Sequence, residues 1–112
     1  MKLQVHSIHF DADKKLVQFI QKKVNKLETF YDRLVDGEVF LRLNNEGIEN
    51  KTVEIKVNVP GTQLFASEKA RSFEAAADLA TDALQMQLKK FKAKLRNKKP
   101  KKPMPGLVQI SQ

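Results

Sequence analysis

The sequence predicts an α+β domain in the order β-α-β-β-β-α: a four-stranded mixed sheet with two helices packed on one face. Three observations carry this. Two segments repeat apolar residues at helical spacing, others alternate apolar with polar residues, and Pro60-Gly61 joins two of the alternating segments through a tight turn. At 112 residues the chain has the usual size of one domain.

In KLQVHSI, residues 2–8, Leu3, Val5 and Ser7 alternate with Lys2, Gln4 and His6, as in a strand with one wet side. Asp11 or Asp13 is placed to cap a helix from about Ala12 to Phe30. Val17, Ile20, Val24, Leu27 and Tyr31 form its core-facing stripe, with Lys15, Lys22, Lys23 and Lys26 off it. EVFLRLN then sets Val39, Leu41 and Leu43 against Glu38, Phe40 and Arg42, and TVEIKVNV alternates without a break. NNEGIEN between them reads as a polar loop. Pro60 and Gly61 supply the two backbone conformations of a type II turn, so TQLFASE returns as a hairpin partner. Ser72 is an N-cap for a long helix running to about residue 98, whose apolar face is Phe73, Ala76, Ala77, Ala80, Leu84, Leu88, Phe91 and Leu95. A right-handed crossover through the first helix makes the first two strands parallel, and hairpins make the later pairs antiparallel. Pro100 stops the second helix, which divides the chain into a domain at 1–97 and a basic, Pro-containing flexible tail at 98–112. The terminal LVQISQ is expected to be a disordered end rather than an added strand.

The formal charge of +8 is local. Nine bases and no acid lie between Lys89 and Lys102, whereas residues 1–88 hold twelve bases against thirteen acids. A helix dipole favours bases over only about one last turn, yet this cluster covers roughly three. Lys89, Lys92, Arg96 and Lys99 follow one helical stripe about 15 Å long, on a different side from the apolar face. Such a row suits successive phosphates of a nucleic acid, with counterion release as the driving force. Phe91 belongs to the core, and the strands show no RNP-type aromatic pair, so the expected recognition is of backbone and shape.

No catalytic constellation is present. The four glycines are far apart, with neither a P-loop nor a dinucleotide fingerprint. His6 and His9 point to opposite faces of a continuing strand, and no further metal ligands accompany them. Asp78 and Asp82, one turn apart, read as favourable charges in the first half of a helix with a basic second half. The absence of cysteine removes disulfides, thiolate metal sites and a cysteine nucleophile, and fits a reducing cytoplasm. MKLQVHSIHF has no apolar run that could be a signal peptide or a membrane span. The expectation is a cytoplasmic, non-enzymatic protein without cofactor, metal, membrane or small-molecule substrate.

DADKKLVQFIQKKVNKLETFYD, the alternating strands with VPG between them, and SFEAAADLATDALQMQLKKFKAKL together resemble the ribosome hibernation-promoting factor and ribosome-associated inhibitor family, in its short, single-domain form. The similarity covers residues 1–96, and the run from Ala76 to Lys94 is its most telling part. It implies a fold similar to double-stranded RNA binding domains. It also implies binding to the small ribosomal subunit, in the channel of messenger RNA and the A-site and P-site transfer RNAs, so that idle ribosomes do not translate. By the same resemblance, 16S ribosomal RNA phosphates would be met by Lys22, Lys23 and Lys26 on the first helix and Lys89, Lys90, Lys92, Lys94 and Arg96 on the second. The protein is expected to be monomeric off the ribosome. Ser72, Phe73 and Glu74 stand where relatives often carry an Asp-Met-Tyr type entry to the second helix. The alternative is a general double-stranded RNA or DNA binding module not specific to ribosomes.

Overall fold

In the computed structural model, which describes residues 1–44 and 47–97, β1 (Lys2–Ile8) leads through α1 (Lys14–Asn25) to β2 (Asp36–Leu43). β3 (Lys51–Val59), β4 (Thr62–Ala70) and α2 (Phe73–Asn97) follow. The sheet order is β1-β2-β3-β4, with β1 and β2 parallel and the other two pairs antiparallel. This is the α+β architecture that the alternating segments and the crossover require. Residues 98–112, including LVQISQ, lie outside the described residues.

Register decides which face is dry. Val5, Val39, Ile55 and Ala66 are partners in one row across all four strands, and Val39, Leu41, Val53, Ile55 and Val57 are fully buried beneath the helices. α2 contributes Phe73, Ala76, Ala77, Ala80, Leu84 and Leu88 to the same core. Its alanines let the first half of the helix lie close to the sheet, and the leucines fill the space beyond. Gly61 has φ of +88°, the conformation a type II turn requires after Pro60.

The first helix departs from its expected ends, and the second keeps them to within about a residue. α1 starts at Lys14; Asp13 takes the extended N-cap backbone, but its carboxylate makes no capping bond, and its carbonyl accepts from Val17 N–H at 3.0 Å. After Asn25 the chain tightens into a 3₁₀ turn, Lys26–Thr29, where the Thr29 hydroxyl donates to the Lys26 carbonyl at 2.7 Å. That hydroxyl occupies an acceptor near the end of the α-helix, and i→i+3 bonding takes over. α2 is capped as expected, with Ala75 N–H donating to Ser72 Oγ at 3.1 Å. Leu95, expected in the core, is 44% exposed because the last turns of α2 run out over the β3–β4 turn, where they line a cleft with Pro60, Gly61 and Leu64.

Candidate nucleic-acid interface

Three contacts define how the helices lie. Phe10, just before α1, stacks on Phe73 at the start of α2, with ring centres 5.1 Å apart. Further along, the Lys23 ammonium pairs with the Asp78 carboxylate. Beyond α1, Tyr31 sets its edge against Phe91 at 5.7 Å. The contacts advance in the same direction along both segments, so α1 and α2 run side by side and parallel. Their C-terminal ends therefore point the same way: Lys23 lies at the level of Asp78, in the first half of α2, and Phe30, past the end of α1, lies at the level of Lys92.

This arrangement gathers part of the basic set and divides the rest. Lys22 and Lys26 are exposed, one turn apart. Lys89 and Lys92, three residues apart on α2, share a helix side and are exposed, and the Lys92 ammonium reaches the Phe30 carbonyl at 2.7 Å. Lys92 is thus a strap between α2 and the segment after α1 as well as a surface charge. Lys23 is likewise held by Asp78, whose Oδ1 is shut off from water against the ammonium without the angle of a good hydrogen bond. Lys90 and Lys94 take the opposite flank of α2, on the cleft of about 460 Å³ with Phe91, Leu95 and the β3–β4 turn. The side chain of Arg96 lies outside the described residues. Lys22, Lys26 and Lys89 are thus the bases of this flank that make no ion pair or hydrogen bond among the described residues.

The wet face of the sheet carries features that the sequence did not single out. His6 stacks on Phe40 at 5.0 Å and its Nε2 lies 3.1 Å from Glu38 Oε2. Lys56 Nζ lies 5.4 Å from the Phe40 ring centre, and Arg42 Nε donates to Glu54 Oε1 at 3.2 Å. Phe65 is 45% exposed on the same face. The signal for it was its phase, since it shares the alternation of Gln63 and Ser67 in TQLFASE. His9 lies past the end of β1 with φ of +66°, so the two histidines do not form a pair along one strand. Among the described residues there is no group of three His, Cys, Asp or Glu that could hold a metal ion, and no helix is long and apolar enough to cross a membrane.

Residues 3–96 match the family described as Sigma 54 modulation protein / S30EA ribosomal protein. The chain is 31% identical over 110 residues to a ribosome hibernation promotion factor of Deinococcus radiodurans, covering 92% of this chain and 56% of that relative. It therefore spans little more than half of that protein's length. Against the ribosome hibernation promoting factor of Escherichia coli K12 it is 30% identical over 96 residues, covering 86% of this chain and 98% of the relative. Among solved structures, the Thermus thermophilus Protein Y N-terminal domain has a TM-score of 0.72 at 25% identity, covering 81% of this chain and 99% of that one. A ribosomal subunit interface protein from Coxiella burnetii has a TM-score of 0.75 at 24% identity, covering 83% of this chain and 99% of its own, and bears on the fold alone. With a sequence match over nearly the whole described domain and the same fold in solved structures, the chain belongs to the Sigma 54 modulation protein / S30EA ribosomal protein family.

Proposed function

We propose that this protein is a ribosome hibernation factor. It binds the small ribosomal subunit in the messenger and transfer RNA channel, holds 16S ribosomal RNA by its phosphates, and blocks translation by occupying the site without making or breaking a bond. The cytoplasm, where ribosomes work, is its place of action. The observation that carries this reading is the parallel packing of α1 and α2, which sends the exposed Lys22 and Lys26, from the level of Asp78 onward, in the same direction as the half of α2 that bears Lys89 and Lys92. Two helices then offer charge to one polyanion from one end of the domain. The names of the relatives supply the ribosome as partner, and the lysines supply the chemistry that would recognise it.

Co-sedimentation with purified small subunits tests this, in competition with transfer RNA and messenger RNA. The expected result is binding that both RNAs displace, that falls steeply with salt, and that a Lys22→Glu, Lys26→Glu, Lys89→Glu variant loses. Undiminished binding by the folded variant would sink the proposal. Equal affinity for free duplex RNA, with no competition from transfer RNA, would point instead to a general duplex-binding module.

A further inference from the structure

The wet face of the sheet holds an aromatic ring and an ammonium that the helix lysines do not account for. Phe65 lies on β4, an edge strand, and its backbone groups that face away from β3 are taken by one side chain: Gln87 Nε2 donates to the Phe65 carbonyl at 2.7 Å, and Gln87 Oε1 accepts from its N–H at 3.4 Å. The backbone under the ring is therefore held from α2, while the ring itself is 45% exposed. Its register partner on β3 is Lys56, whose ammonium rests against the Phe40 ring. The acids nearest to Lys56 are engaged elsewhere, Glu38 with His6 and Glu54 with Arg42, and Lys56 makes no ion pair among the described residues. Gln63 and Ser67 flank Phe65 on the same face; the Gln63 amide nitrogen donates to Asn58 Oδ1 at 3.0 Å, and the Gln63 carbonyl oxygen and the Ser67 hydroxyl are the polar atoms able to meet the edge of a base.

We propose that this face binds one unpaired nucleotide of RNA, its base stacked on Phe65 and its phosphate on Lys56. A ring with a free face accepts any base, a cation beside it neutralises the adjoining phosphate, and a held backbone lowers the ordering cost of binding. An apolar protein anchor would need a dry pocket for Phe65, whereas its neighbours here are Lys56, Gln63 and Ser67. The proposal rests on the RNA-binding reading above and adds a contact on the face opposite the helices.

The test is fluorescence anisotropy of a labelled single-stranded adenylate hexamer with the full chain, without ribosomes. Phe65→Ala and Phe65→Leu are expected to weaken binding about tenfold, Phe65→Tyr to retain it, and Lys56→Gln to weaken it and flatten its salt dependence. Hexamer binding indifferent to Phe65→Ala, or a Leu variant that binds as well as the parent, overturns the proposal, the latter because a merely apolar contact does not need a π-face. Small-subunit binding by the helix-lysine variant is read separately. Failure of the helix reading therefore leaves this result interpretable, and the reverse holds too.

Discussion

Lys92 illustrates how one side chain can serve two ends. Its ammonium donates to the Phe30 carbonyl at 2.7 Å, so it ties α2 to the turn that follows α1, while Lys89 on the same helix side has no such bond. The two residues should separate stability from RNA binding. Lys92→Met, which keeps the apolar stem, is expected to cost about 0.5–1 kcal/mol, the lower range of a hydrogen bond because the site is exposed. Lys89→Met is expected to leave the urea midpoint unchanged and to weaken small-subunit binding. If the two variants unfold at the same urea concentration, the strap contributes nothing. Lys23 behaves like Lys92, since its charge is already matched by Asp78.

Among the elements, β4 and α2 depend on one another. β4 is an edge strand, whose outward N–H and C=O groups are open to pairing with another chain unless something covers them. Gln87 covers the pair at Phe65. Replacing it by Ala should speed native-state hydrogen exchange at the Phe65 amide while sparing the amides of β3 in the sheet centre. No change at Phe65 would mean that the Gln87 bonds do not persist in solution. α1 and its continuation show the opposite case, an element whose end is set locally. The Thr29 hydroxyl and the Phe30 N–H to Leu27 carbonyl bond at 3.0 Å turn the last stretch into 3₁₀ geometry, which presents the Phe30 carbonyl to Lys92 of α2.

Across the whole molecule, position of charge matters more than its amount. The body outside the basic run is nearly neutral, with twelve bases and thirteen acids in residues 1–88. Reversing Lys14, Lys15 and Arg71, at the N-terminal ends of the two helices, removes as much net charge as reversing Lys22, Lys26 and Lys89. The first set is expected to leave the slope of log affinity against log salt almost unchanged on small subunits, and the second to reduce its magnitude by about one for each lysine lost. Equal effects of the two sets would mean that the protein responds to overall charge and has no localised interface.

Local chemistry settled most of the architecture. The alternation in TVEIKVNV, the Pro60-Gly61 turn, the Ser72 cap and the helical stripes are short-range signals, each with a physical cause within a few residues, and they place the strands, the turn and α2. The crossover rule then orders the sheet. The end of α1 was less legible, because a hydroxyl's choice between solvent and a carbonyl depends on geometry that spacing does not contain. Which lysines remain available was decided only by tertiary packing. Lys23 and Lys92 look like their neighbours along the chain, and a partner 55 or 62 residues away takes each of them. Phe65 is the same lesson for an aromatic. Its phase put it on the wet face, but the grip of Gln87 from α2 and the rest of Lys56 against Phe40 arise from segments that meet only when the sheet and helices close on one core.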